Sequence, residues 1–311
     1  VRSSLEPKIV SAGLVTSGQP WRNVEFHDAI GSTNARLRDL LGGAAESEAG
    51  AATPLGTGAD ALWCVVLTDN QTGGKGRLGR TWEAPDRAAI AVSAAVPVTS
   101  PAGAGWLPLI AGLAVSRAIR AVSRDAGHEL TPRLKWPNDV LLPDDADRKV
   151  CGILCELVTL RSAGGPGPSG YAVVVGTGVN VDQTREELPV ETATSLALAG
   201  VRVRREALVV GYLRELAAIL RADAPGTGTD DPAQADDPAR PVAVDTLSAT
   251  VAAAYRAECS TLGQRVRIHL PTGEAVEGEA LTVDDDGSLV VRTPDGTRSF
   301  PAGDVEHVRR P

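Results

Sequence analysis

Gln71-Thr72-Gly73-Gly74-Lys75-Gly76-Arg77-Leu78-Gly79-Arg80-Thr81-Trp82 threads three cations among four glycines. Glycine tolerates positive φ and lets the backbone come close to a ligand. Consecutive free N–H groups form an anion-binding concavity. Lysine and arginine add full charges, arginine as a bidentate fork. Taken alone, the stretch reads equally as an anion cradle or as a surface loop with solvated charges. Its flanks narrow the choice of fold. The apolar run from Ala61 to Thr68 reads as a buried strand, and the run from Ala88 to Val96, closed by Pro97, reads as another. A loop between two strands is not a Walker A loop, which opens a helix and would need Ser or Thr where Gly76 stands. Nor is it a dinucleotide fingerprint, which sits at a strand–helix junction.

Composition bounds the rest. A chain of 311 residues can bury a substantial core. A net charge of −8 disfavours wholesale nucleic-acid binding but leaves room for a local basic site. No apolar run approaches the roughly 18 residues of a membrane span, and the first residues lack a signal-peptide pattern. The default expectation is a cytoplasmic protein without a membrane partner. Cys64, Cys151, Cys155 and Cys259 form neither a disulfide framework nor a zinc pair, and they are expected to be reduced packing residues. The four histidines are scattered, so no zinc site is expected. Of the 31 lysines and arginines only Lys8, Lys75, Lys135 and Lys149 are lysines. The last three fall in motifs, where a compact ammonium is not interchangeable with a guanidinium.

Gly31-Ser32-Thr33-Asn34 precedes a predicted helix over 35–41 with a polar start. Residues 42–60 read as a mobile loop and 222–241, rich in Asp, Pro, Ala and Gly, as disordered. Leu107 to Val122 reads as a long apolar helix, and further helices are expected over 205–221 and 244–258. Leu134 to Leu142 reads as a strand interrupted at Pro137. Lys149 to Leu160 and Tyr171 to Val175 read as strands. After residue 261 short strands alternate with Pro271-Thr272-Gly273, Asp285-Asp286-Gly287 and Pro294-Asp295-Gly296 turns, as in a small β-barrel. The fold class is α+β: a mixed β-sheet with helices, then a small β module.

Three further motifs carry chemistry. Lys135-Trp136-Pro137-Asn138-Asp139 puts two oxygen-bearing side chains beside a cation, which suits Mg²⁺ bound with a polyphosphate and equally a capped strand-end turn. Lys149-Val150-Cys151-Gly152-Ile153-Leu154-Cys155-Glu156 opens a strand with a lysine, either snorkelling or buried at a site. Strand alternation puts Lys149, Cys151 and Ile153 on one face. Gly176-x-Gly178-x-Asn180 reads as a bulge or turn at a strand end.

Together, in this order, these motifs resemble the biotin–protein ligases over residues 25–311. The resemblance implies a catalytic domain of the class II aminoacyl-tRNA-synthetase/biotin-ligase type over 25–260, after an extension over 1–24, and an SH3-like domain over 261–311. It implies that Ser32, Thr33 and Asn34, with Gln71, Gly76 and Gly152, bind biotin. Lys75, Arg77 and Lys149 would hold the biotin carboxylate and the α-phosphate and serve catalysis. Gly74, Arg80, Trp82, Lys135, Asn138, Asp139 and Asn180 would serve ATP, with Mg²⁺ near Asn138, Asp139 and Asn180. Many bacterial members have arginine where this chain has Lys75, which keeps the charge and loses the fork.

The implied reaction forms biotinyl-5′-AMP from biotin and ATP and transfers biotin to a lysine of a biotin carboxyl carrier protein. It needs fixed cations rather than a side-chain nucleophile. A loop that shields the adenylate would be mobile when empty and ordered with ligand. The alternatives are a lipoate–protein ligase or octanoyltransferase, and a non-catalytic regulator that binds biotin or a nucleotide. About two dozen residues before the core are too few for a helix-turn-helix module, so no operator binding is expected. A monomer or weak homodimer is expected.

Overall fold

The computed structural model describes residues 2–43, 56–161, 168–222, 242, 248–270 and 272–308. Most of 42–60 and 222–241 lies outside these residues. The loop between the two apolar runs is framed by β2 (Cys64–Thr68) and β5 (Ala89–Val98), which pair antiparallel. Their sheet has seven strands. β1 (Asn23–His27) lies parallel to β2, and beyond β5 come β9 (Pro168–Asn180), β8 (Arg148–Arg161), β7 (Asp139–Leu142) and β6 (Arg133–Lys135), each antiparallel to its neighbour. Inside the loop, β3 (Gly74–Lys75) and β4 (Thr81–Trp82) make a two-strand ladder.

The two faces of the sheet bury different partners. Val65, Leu67, Val92, Ala94, Ile153, Val173 and Val175 join the larger core. That core includes α3 (Leu107–Asp125), α4 (Arg205–Ala222) and α5 (Ala249–Glu258). Val66, Ala95, Val158, Leu160, Ala172 and Val174 meet Leu37, Leu40 and Leu41 of α2 (Thr33–Leu41). The alternation is the strand period of two, with both faces covered. The helix that carries α3, Ala104–Asp125, is long and apolar enough to cross a membrane, but most of it is buried inside the fold. It is a core helix that the sequence reading had not flagged as a span.

Two sequence readings change. Residues 134–142 are not one interrupted strand: β6 and β7 form a hairpin that turns at Trp136-Pro137-Asn138, with Lys135 opposite Asp139. Gly176 and Gly178 sit within β9, paired with β5 and β8, rather than in a turn after it. The first residues, which show no clear periodicity, form α1 (Pro7–Leu14), with Val10 and Leu14 buried against the larger core. Gly13 lets α1 approach α4, since a Cβ there would lie 2.8 Å from Val210. Leu5 N–H donates to Asp69 at 2.8 Å, and Arg205 pairs with Asp69 at 3.3 Å while both side chains are almost fully buried.

The C-terminal strands are β10 (Arg265–His269), β11 (Ala275–Val283), β12 (Leu289–Thr293), β13 (Gly296–Phe300) and β14 (Asp304–His307). They form one antiparallel sheet, in the order β13-β12-β11-β10-β14, of a small SH3-like module. Two buried indoles bind it to the larger body: Trp106 Nε1–H donates to the Asp285 carbonyl at 2.7 Å and Trp136 Nε1–H to the Gly287 carbonyl at 3.0 Å. His307, at the end of β14, has its pKa lowered to about 4 by burial first and by Lys135 second. Between pH ~6.5 and about 4 the unfolded chain therefore binds a proton that the folded chain refuses, and stability falls as pH drops through that window. His307→Gln should flatten this part of the stability–pH curve relative to the wild type, measured by urea unfolding at several pH values. Parallel curves would assign the acid loss to other groups.

Candidate active site

Past the N-terminus of α2 the sheet face loses its side chains. Along β5 the α2-facing positions run Ala95, Ser93, Ala91; along β9, Val174, Gly176, Gly178; along β8, Val158, Glu156, Leu154, Gly152. Ala91, Gly178 and Gly152 are cross-strand neighbours, as are Ser93, Gly176 and Leu154. The result is an open cleft at this end of the sheet. Its glycines admit named neighbours. A Cβ on Gly178 would lie 2.5 Å from the Trp82 ring, and one on Gly176 2.0 Å from Asn34 Oδ1.

The N-terminal end of α2 and the Gly-rich loop close two sides. Ser32 caps α2, accepting from Ala35 N–H at 3.3 Å. Gln71 Oε1 accepts from Thr33 N–H at 3.0 Å. Lys75, Gly76, Arg77, Arg80 and Trp82 also line the cleft. Gly74 is held tightly beneath them, since a Cβ there would lie 2.4 Å from the Trp82 carbonyl. Leu78 takes φ +55° and is 60% exposed at the loop tip. Arg77 donates to Asn138 Oδ1 at 3.3 Å. Burial lowers its pKa, with Asp304 and Asp139 opposing the shift. Arg80 pairs with Asp304 of β14, so the module reaches the rim.

Lys149 arrives by a departure from simple alternation. A bulge between β7 and β8 pairs Val140 with Cys151 and Leu141 with Lys149, leaving Val150 extra. Both Val150 and Cys151 then point into the helix-side core. Lys149 turns instead to the cleft: its Nζ lies 2.6 Å from Asp139 Oδ1 and 6.0 Å from the Trp82 ring centroid. A Cβ on Gly152 would meet that Nζ at 2.9 Å. The expectation that Lys149 shares a face with Cys151 and Ile153 is thus corrected by one extra residue. Burial raises the pKa values of the Cys151 and Cys155 thiols, and all four cysteines are free.

Of the sequence-predicted site residues, Ser32, Thr33, Asn34, Gln71, Lys75, Gly76, Arg77, Arg80, Trp82, Asn138, Asp139, Lys149 and Gly152 line the cleft together. Gly74, Lys135 and Asn180 do not. Lys135 ends β6, half-buried, opposite Asp139. Asn180 is buried at 5%, donating to the Thr194 carbonyl at 2.9 Å and accepting from Gln183 at 2.7 Å. Its amide is spent inside the fold, which withdraws it from direct contact with a ligand in this arrangement. Sequence reasoning missed Leu154 and Asp304 of the lining, and Ser93, which lies outside it behind Thr33. Ser93 carries a signal in retrospect, as the lone hydroxyl in the apolar run from Ala88 to Val96. Leu154 and Asp304 carry none, because nothing local says that β14 returns to the loop.

Among the described residues no group of three or more His, Cys, Asp or Glu side chains could hold a metal ion. Asp139 Oδ1 is buried and, apart from the Lys149 ammonium, has no partner. A single carboxylate with a free lone pair suits Mg²⁺, which keeps its waters and binds chiefly through phosphates, rather than a metal caged by protein.

Residues 62–180 match the biotin/lipoate A/B protein ligase family, and residues 261–308 match the biotin protein ligase C-terminal domain. The chain is 34% identical to the biotin–acetyl-CoA-carboxylase ligase of Mycobacterium tuberculosis, over 99% of this chain and 98% of that one. It is 31% identical to the corresponding ligase of Paracoccus denitrificans, over 77% and 88%. The fold matches a biotin protein ligase from Aquifex aeolicus in complex with biotin and ATP, with a TM-score of 0.60 and 21% identity over 93% of this chain and 100% of that one. Replacing Gly178 with alanine should force Trp82 off the cleft floor, at a cost of about 1–3 kcal/mol. Denaturant unfolding and a shift in tryptophan emission would register it; an unchanged emission and midpoint would mean that the floor has slack.

Proposed function

The chain belongs to the biotin protein ligase family, and we propose that its cleft forms biotinyl-5′-AMP with Lys149, Arg77 and Lys75 as the cations of the reaction. The activity is that of a biotin–protein ligase, with biotin and ATP as substrates and the biotin carrier of acetyl-CoA carboxylase as acceptor. Three cations around a floor without side chains carry the assignment of roles.

In the first half-reaction an oxygen of the biotin carboxylate bonds to the α-phosphorus, and the bond to the leaving pyrophosphate breaks. Charge accumulates on the α-phosphoryl oxygens. Lys149, already beside the cleft floor, and Arg77, partly desolvated, stabilise it without a nucleophile from the protein. Lys149 gives up Asp139 as its counter-ion and takes the carboxylate and phosphate instead. Asp139, whose Oδ1 has no partner but the Lys149 ammonium, would hold magnesium that accompanies ATP. The ion would neutralise phosphate charge there, with Asn138 nearby and Asn180 excluded by its buried hydrogen bonds. In the second half-reaction the acceptor amine bonds to the acyl carbon and AMP leaves.

Lys75 is exposed on the β3–β4 ladder and reaches ligand from above, as a point charge where relatives with arginine would present a fork. The loop ladder, clasped to the module through Arg80 and Asp304, supports a role in excluding water from the acyl phosphate. We place the enzyme in the cytoplasm, with an SH3-like domain over 261–311 following a catalytic domain over 25–260.

Lys149→Ala should slow biotinyl-5′-AMP formation by about 10²–10³, read by mass detection of the adenylate in a single turnover. An unchanged rate would remove Lys149 from the chemistry. Wild-type enzyme offered biotin and lipoate should adenylate biotin alone; equal use of both would favour the lipoate-ligase reading.

A further inference from the structure

Glu156 closes the Lys149-to-Glu156 motif, yet it does not line the cleft. Its carboxylate instead accepts from Asn34 Nδ2 at 2.8 Å and from Arg38 at 2.9 Å. The second Asn34 Nδ2 hydrogen goes to the Leu154 carbonyl at 3.2 Å. With both amide hydrogens used, the Asn34 amide has one orientation: flipping it would set its oxygen against a carboxylate and a carbonyl. Asn34 Oδ1 therefore faces Ser93 Oγ, 2.6 Å away, and Ser93 Oγ lies 2.7 Å from Thr33 Oγ1.

These two short contacts contain two hydroxyl hydrogens and permit one assignment. An amide oxygen cannot donate, so the Ser93 hydrogen goes to Asn34. The Ser93–Thr33 contact then needs the Thr33 hydrogen, which goes to Ser93. The longer 3.2 Å approach of Thr33 Oγ1 to Gln71 Oε1 is left without it. Thr33 and Ser93 are 3% and 0% exposed, so water does not reset this order.

We infer that the relay Glu156–Asn34–Ser93 fixes Thr33 as a hydrogen-bond acceptor toward the cleft, so that the site selects a ligand presenting an N–H there and rejects one presenting an oxygen. The inference rests on the reading of this cleft as the biotin site. Biotin's ureido ring supplies such an N–H; a lipoyl dithiolane supplies none. Ser93 and Glu156 are positioning residues in this scheme, since they act through Thr33 and touch no ligand. Gly176 belongs to the same device, because a side chain there would displace the Asn34 amide.

The test compares biotin with a carbamate analogue whose ureido N–H facing Thr33 is replaced by oxygen. The ratio of kcat/KM values for adenylate formation is the readout. In the wild type the ratio should favour biotin by about 10²-fold or more, as for a buried acceptor left facing an oxygen. In Ser93→Ala the Thr33 hydrogen loses its 2.7 Å acceptor, keeps only the long 3.2 Å approach to Gln71 Oε1, and is free to donate to the analogue's oxygen; the ratio should fall by about tenfold or more, with kcat and the KM for ATP within about twofold of wild type. Glu156→Gln keeps an amide oxygen for Asn34 and should retain the wild-type ratio. If Ser93→Ala does not fold, Ser93→Cys, a weaker donor and acceptor, should move the ratio in the same direction. A folded Ser93 variant with an unchanged ratio overturns the relay while leaving the biotin site intact. A wild type that adenylates neither compound removes the functional reading, and the relay with it.

Discussion

The constraint on which the rest depends is volume withheld from one sheet face. A mixed sheet must cover both faces, and here the helix-side face is filled along its length, mostly by valine, isoleucine and leucine. The other face is filled only as far as α2 extends. Beyond it Ala91, Gly152 and Gly178 lie side by side on three strands and offer backbone in place of side chains. Trp82 and Lys149 occupy part of the resulting space. The cleft, the cations at its rim and the approach of the loop all presuppose that gap.

The motifs could be read from the sequence because they are contiguous and chemically dense. The Gly-rich loop between two apolar runs, and Ser32 capping a helix, are local facts that survive into the structure. The two indoles show where local reading stops. Trp136 sits inside a motif whose Asn138 and Asp139 line the cleft, yet its own ring is buried and holds the C-terminal module through Gly287. No pattern within Lys135–Asp139 announces a partner some 150 residues away. Asp304 and the fifth C-terminal strand were hidden for the same reason. Asn180 is the converse case: its motif is local, but its hydrogen bonds to Thr194 and Gln183 come from a later turn.

The hairpin that carries Trp136 also carries Asn138 and Asp139, and its other strand is paired with β8. The module's anchor, the carboxylate of the site and the strand of Lys149 are therefore one covalent and hydrogen-bonded unit. Arg80 and Asp304 add a second link, from the loop back to β14. The module is attached through the buried indoles of Trp106 and Trp136 and through the exposed Arg80–Asp304 ion pair. The first sets its place, because a buried hydrogen bond is costly to break. The second is weak and breakable in water, as exposed ion pairs are.

The bulge at Val150 places the Lys149 cation by counting rather than by side-chain chemistry. Gly152 and Leu154 meet the cleft from β8 at even positions, on the strand's α2-facing side. Lys149 is odd, and it reaches the same side because β8 spends one residue more than β7 over that interval. The ammonium's address is thus written in chain length. Point substitutions around it leave that address in place, whereas losing a single residue between 149 and 152 would turn the charge into the valine-lined core on the far side of the sheet.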